Sequence, residues 1–254
     1  MAAADLAFRL DGKRALVTGA GRGIGRAVAL ALAAAGAEVL LVSRTVEQLE
    51  AVAGEIRKDG GAAQVLALDV TDASAVQAAF AGIARLDILV NNAGVNRPQP
   101  FLGVDEETLD QVLALNVKAA FRVAQGAARL MADSGAGGVI INMSSQMGHV
   151  GTERERTVYV MTKHALEGLT KAMAVELAPQ GIRVVSLAPT FVQTPLTKPF
   201  FDDPATRKWI IDRIPLGRPG TAEEVARAAV FLASPAAALV TGSSLLLDGG
   251  WTAW

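Results

Sequence analysis

The stretch Arg14-Ala15-Leu16-Val17-Thr18-Gly19-Ala20-Gly21-Arg22-Gly23-Ile24-Gly25 decides how the fold is read. A short apolar run enters a turn with glycine at every second position, and an alanine-rich segment of helix length follows from Gly25 to Ala35. Glycines let the backbone turn tightly and approach a phosphate, while the N–H groups and dipole of the next helix attract the anion. Gly19, Gly21, Arg22, Gly23, Ile24 and Gly25 are therefore candidates for holding a dinucleotide pyrophosphate. Such a turn carries meaning only between a strand and a helix, and both are present here.

Outward from this turn, the same alternation continues. Strand-like runs occur at Arg14–Thr18, Glu38–Val42, Val65–Leu68, Asp87–Asn91, Gly138–Asn142, Ile182–Leu187 and Ser244–Leu247. Helix-length segments lie near Gly25–Ala35, Val46–Lys58, Ala73–Ala84, Glu106–Ala132, Tyr159–Leu177 and Ala222–Ala233. Strands that are apolar throughout are covered by helices on both faces. The rhythm predicts an α/β protein, a doubly wound parallel sheet of about seven strands forming a single domain over residues 1–254. Thr190 to Pro219 interrupts it with Pro195, Pro199, Pro204 and Pro215, adjacent Phe200 and Phe201, and Trp209. An irregular segment of that length reads as a substrate lid at about 190–219, with a packed surface excursion as the alternative.

Composition narrows the classes. Of the 254 residues, 51% are hydrophobic and 19% charged, which excludes a disordered chain. A net charge of −1 gives no reason to expect nucleic acid or an acidic membrane as partner. The longest apolar run, Ala27 to Ala37, is too short to span a bilayer. Asp5 and Arg9 flank no cleavable apolar region, so the expected location is cytoplasmic. With no cysteine and only His149 and His164, no disulfide, thiolate nucleophile or zinc centre is expected, and no metal.

The end of the second strand speaks to the cofactor. An acidic residue there would bond the ribose 2′-hydroxyl of NAD, but this chain has Ser43-Arg44. A guanidinium holds a 2′-phosphate, and Arg22 can reach the same group. NADP(H) is favoured over NAD(H), with both arginines as plain surface charges the alternative.

Four further signals follow in order. Asn91-Asn92-Ala93-Gly94 closes the fourth strand, Asn116 lies in a helix, Ser144-Ser145 ends the fifth strand, and Tyr159-Val160-Met161-Thr162-Lys163 opens the next helix. Tyrosine and lysine four apart share a helix face. An ammonium beside a phenol should favour phenolate and lower a pKa of about 10, so that Tyr159 exchanges a proton with an alcohol or ketone. Ser145 can hydrogen-bond the substrate oxygen as charge develops on it.

Together with Thr18–Gly25, this ordered set resembles the short-chain dehydrogenase/reductase family over essentially the whole chain, through Asp248-Gly249-Gly250. The resemblance implies an oxidoreductase with Asn116, Ser145, Tyr159 and Lys163 as its catalytic set. Lys163 would also hold the nicotinamide ribose, and Asn116 would anchor a water in a proton relay. By the same resemblance, Asp69 and Val70 meet the adenine, and Asn92, Ala93 and Gly94 lie along the cofactor. Val192 and Thr194 contact the nicotinamide end. Two positions depart from the family pattern: Val185 stands where asparagine is usual, and Thr190 where glycine follows Pro189.

The expected substrate is a small ketone or alcohol bound near Ser145, Gln146, His149 and Tyr159. Arg97, Gln146, His149 and Arg154 point to a polar or carboxylated one such as a sugar acid or keto acid. A 3-oxoacyl carrier-protein reductase is the alternative within the class, and a non-catalytic NADP-sensing protein the alternative outside it. The family commonly forms tetramers. The resemblance implies a homotetramer whose interfaces use the helices near Glu106–Ala132 and Tyr159–Leu177, and Ala222–Ala233 with the Trp251-Thr252-Ala253-Trp254 tail.

Overall fold

Alternate residues of the first strand enter different layers, as the period of two in a strand requires. In the computed structural model, which describes residues 7–253, β1 (Arg14–Thr18) sends Ala15 and Val17 to one face and Leu16 to the other. Asp5 and Trp254 lie outside the described residues. The same alternation recurs in β2 (Glu38–Ser43), with Val39 and Leu41 on one side and Leu40 and Val42 on the other. On the first face pack α1 (Gly23–Ala34), α2 (Val46–Lys58) and α9 (Ala222–Ala233). On the second pack α3 (Ala73–Ala81), α5 (Ala120–Ser134) and α6 (Thr157–Leu177). Leu16, Leu32, Leu41, Leu49, Ile140 and Ile141 are essentially sealed. Each such side chain contributes about 1.5–3 kcal/mol of burial.

The remaining strands are β3 (Ala63–Ala67), β4 (Ile88–Asn91), β5 (Gly138–Met143), β6 (Ile182–Pro189) and β9 (Ser244–Leu247). Seven parallel strands run in the order β3-β2-β1-β4-β5-β6-β9. The order reverses between β1 and β4, and a crevice opens at their carboxyl ends, where such sheets bind ligands.

Two segments differ from the sequence reading. The expected helix Glu106–Ala132 is α4 (Glu106–Leu113), a π-helical stretch Ala114–Ala119, and α5. The stretch at Thr190 to Pro219 is not irregular. It holds a short β7 (Val192–Gln193) paired to β8 (Gly220–Thr221), with α7 (Lys198–Asp202) and α8 (Pro204–Asp212) between them. Pro199 and Pro204 occupy first-turn positions, where a missing N–H costs a helix nothing, so they start helices rather than break them. The aromatics of this segment form a third cluster around Phe191, Ile210 and Ile214. Trp251 joins it, 5.7 Å from Phe191 and 5.5 Å from Trp209 between ring centres, so that tail tryptophan packs on its own chain.

Candidate active site

The glycine turn is shaped by what a side chain would strike. A Cβ on Gly25 would lie 2.2 Å from the Gly19 carbonyl and 2.6 Å from Asn92 Nδ2, and one on Gly21 would meet Gln48 at 2.9 Å. Gly19 and Gly23 take φ of 66° and 57°, a region costly for other residues. The neighbouring turn is latched to this one. Thr18 Oγ1 accepts from the N–H groups of Asn92 and Ala93, both at 2.9 Å, and Asn92 Nδ2 donates to the Thr18 carbonyl at 2.9 Å. The Asn92 amide thus braces the glycine loop while its residue stays on the wall. Backbone packed this closely at the N-terminus of α1 fits a dinucleotide pyrophosphate.

A cleft of about 570 Å³ runs from this loop to the start of α6. Its wall includes Gly19, Gly21, Arg22, Gly23, Ile24, Gly25, Ser43, Arg44, Asp69, Val70, Asn92, Ala93 and Gly94 at one end. Ser145, Gln146, Tyr159 and Lys163 line the other; Val192 and Thr194 line the cleft as well, Thr194 close to Gly23. Arg44 is exposed, and its nearest acid is Asp69, 3.8 Å away. Asp69 also accepts from Thr71 N at 2.9 Å, which holds its carboxyl below the usual range and keeps it an anion.

At the reacting end, Lys163 Nζ is buried and donates to the Met143 carbonyl at 2.7 Å. Burial pulls this ammonium down to about 8, and Glu167 one turn on acts against that pull. Tyr159 is pushed above its ordinary value by burial, while a hydrogen bond with Ser145 and the charge of Arg156 oppose the rise. The expectation that Lys163 lowers the phenol is therefore corrected. Lys163 gives one of its three N–H donors to a backbone carbonyl and sits 5.4 Å from the Tyr159 ring centre, and Arg156 is the cation acting on the phenol.

Four residues singled out from the sequence are not on the wall. Asn116 lies one layer behind it: Oδ1 accepts from Val95 N, and Nδ2 donates to Val95 O (both 2.8 Å) and to Thr162 Oγ1 at 3.1 Å. Its side chain holds the wall in shape, and the π-helical stretch turns it inward, a distortion frequent at functional sites. His149 is turned away altogether. A 3₁₀ turn at Gln146–Gly148 keeps Gln146 and Met147 on the cleft and drops His149 behind α6. There its Nε2 lies 2.9 Å from Ser244 Oγ and 3.3 Å from Glu167. Arg154 stacks over Trp209 at 4.5 Å, and Arg97 is exposed; neither lines the cleft. Arg156, which sequence reasoning left among the polar loop residues, does line it.

The backbone accepts both departures, while the Thr190 hydroxyl is buried without a hydrogen-bond partner. Val185 is a sealed core residue facing α1 and α9. Thr190 keeps its N–H on the Leu247 carbonyl at 3.1 Å, and its φ is not positive, so no glycine is needed.

The same arrangement recurs in known proteins. A family model described as enoyl-(acyl carrier protein) reductase matches residues 19–252, and the chain belongs to the short-chain dehydrogenase/reductase family. It is an oxidoreductase acting on CH–OH and C=O groups with a nicotinamide cofactor. L-Xylulose reductase from Bos taurus is 44% identical, over 97% of this chain and 99% of that protein. D-Threitol dehydrogenase from Mycolicibacterium smegmatis is 42% identical, over 98% and 96%. The crystal structure of a gluconate 5-dehydrogenase from Burkholderia cenocepacia, in complex with NADP and tartrate, is 39% identical with a TM-score of 0.94, covering 99% of each chain.

Proposed function

We propose that this enzyme is an NADP(H)-dependent reductase/dehydrogenase of small polyhydroxylated ketones and alcohols, with Tyr159 as the proton-transferring group. The observation that carries the reading is one cleft joining the glycine loop and Arg44 to Ser145, Tyr159 and Lys163. Nicotinamide, when bound, exchanges the hydride. Tyr159 gives its phenolic proton to the forming alkoxide or takes it from the alcohol, and Ser145 donates to the same oxygen. Lys163, at the inner end of the cleft, is within the residues that would hold the nicotinamide ribose, and Val192 and Thr194 the amide end. Asn116 positions Val95. Residues 190–219 act as a lid, supported by Thr190, Phe191 and Phe200 on the cleft wall. The relatives reduce or oxidise small sugars and sugar alcohols by name, which supports the substrate size. A chain without cysteines that works with a diffusible nucleotide fits a cytoplasmic setting; among the described residues no helix is long and apolar enough to cross a membrane.

NADPH oxidation should be fast with small ketoses or keto acids and slow with β-keto thioesters. A panel in which only the thioester reacts overturns the substrate class in favour of a 3-oxoacyl carrier-protein reductase.

The homotetramer belongs to this reading as well. Phe121 on α5 and Met161 and Val175 on α6 are exposed apolar side chains, Val175 at 80%, and they suit a two-fold helix interface. Light scattering should return the mass of four chains, and Val175→Glu should lower it. A monomeric intact protein defeats the assignment.

A further inference from the structure

The loop between Ser145 and Tyr159 buries a cation that the fold leaves without a counter-charge. Arg156 is 8% exposed, precedes the first turn of α6, and lines the same cleft as Tyr159 and Gln146. Its guanidinium carbon lies 5.0 Å from the ring centres of both Phe191 and Phe200. Its Nε is sealed without a hydrogen-bond partner. Among the described residues no carboxylate pairs with it; the neighbouring titratable groups are the Tyr159 phenol and Arg154, whose charge repels it.

A buried guanidinium without an ion pair is unfavourable. Two aromatic faces offset part of that cost. The position adds to it, because the amino end of a 21-residue helix is the positive end of its dipole. The backbone is strained at the same point. Glu155 has a φ of 55°, the one non-glycine residue with positive φ among the described residues, and strain of this kind gathers at ligand sites. The loop is also held down: Trp209 Nε1 and Arg213 donate to Glu153 at 2.6 and 2.8 Å, and Gln99 N donates to the Glu155 carbonyl at 2.9 Å. Arg156 is thus fixed toward the cleft.

A second orphan stands on the same wall. Gln146 is 1% exposed, and its Oε1 has no hydrogen-bond partner. A donor-only fork and a free amide oxygen together complement a ligand with an anionic group and a neighbouring hydroxyl. Resting on the oxidoreductase reading above, we propose that Arg156 receives a carboxylate of the substrate while Gln146 accepts from an adjacent hydroxyl. Hydroxy acids and their keto counterparts are then preferred to neutral sugars of the same length.

The test compares pairs that differ only by carboxylate for hydroxymethyl: gluconate with glucitol, and tartrate with threitol. Binding to the full-length enzyme–NADP⁺ complex is measured by calorimetry, and turnover by kcat/KM. The wild type should favour the acid of each pair by about 10-fold or more. Arg156→Met should cut that acid-over-polyol ratio by about 10–10²-fold, the range for hydrogen bonds to charged groups. Arg156→Lys should fall between, keeping the charge but losing the fork. Equal binding of acid and polyol by the wild type overturns the proposal without any variant. So does an Arg156→Met protein that weakens both members alike, the mark of a cation acting only on Tyr159. Acid-selective binding with no turnover of any alcohol upholds the carboxylate site and removes the oxidoreductase reading instead.

Discussion

Replacing Tyr159 with phenylalanine should lower turnover by about 10²–10⁴-fold, the contribution of one positioned acid/base. The ring and its packing in the Phe191 cluster remain, and only the hydroxyl is lost. A hydroxyl of this kind contributes at most about 1 kcal/mol, so the fold and nucleotide binding should survive. The pH dependence separates this role from a structural one. Burial holds the phenol above its ordinary value, so the protonated form that reduction needs is present throughout neutral pH. Oxidation needs the phenolate, whose fraction rises about tenfold per pH unit below the pKa. Oxidation should therefore climb with pH while reduction stays level. Tyr159 is the only tyrosine in the chain, so its ionisation can be followed by ultraviolet absorbance without background. Near-normal turnover in the phenylalanine variant, or an unchanged oxidation slope, would remove Tyr159 from the chemistry.

What the sequence made legible follows from how local each determinant is. Both α2 and α9 run over the residues expected for them. For α9 the reason is a reciprocal cap three residues apart: Glu224 N donates to Thr221 Oγ1 at 3.2 Å, and Thr221 N to Glu224 Oε2 at 2.9 Å. The glycine loop is likewise a matter of short-range sterics, and its residues line the cleft as a block. Apart from the prolines that start α7 and α8, the misreadings involve partners distant in the chain. The distortion around Asn116 is held by Val95, 21 residues earlier, and His149 is drawn off the cleft by Ser244, 95 residues later. Nothing within a helix-length window encodes either contact. Lys163 was expected to act on Tyr159 because they share a helix face; its ammonium is also anchored to the Met143 carbonyl, 20 residues away. Arg156 left a signal that went unused. It stands three residues before Tyr159, a spacing that puts two side chains on one face of the same helix start.

Removing both Arg22 and Arg44, as Arg22→Ser with Arg44→Ser, should raise KM for NADPH by about 10²-fold or more while changing KM for NADH little. Each charge-assisted hydrogen bond is worth roughly 1.5–3 kcal/mol, and exposure brings these two toward the lower figure. Both side chains are exposed at the cleft mouth, and no side-chain hydrogen bond ties Arg22 to α1. Arg44 has only the loose pairing with Asp69 at 3.8 Å to give up, so most of its charge is free for a 2′-phosphate. Because the contact is solvent-exposed, KM for NADPH should also rise with ionic strength, and the double variant should lose that dependence. Arg44→Asp goes further. A carboxylate at the end of β2 accepts from a ribose 2′-hydroxyl and repels a 2′-phosphate, so this change should turn the preference toward NADH. Asp69 would then stand near a second acid across the same mouth, which limits the gain for NADH but deepens the loss for NADPH. A wild-type enzyme that already prefers NADH, or a double variant that weakens both nucleotides equally, would mean that Arg22 and Arg44 are ordinary surface charges.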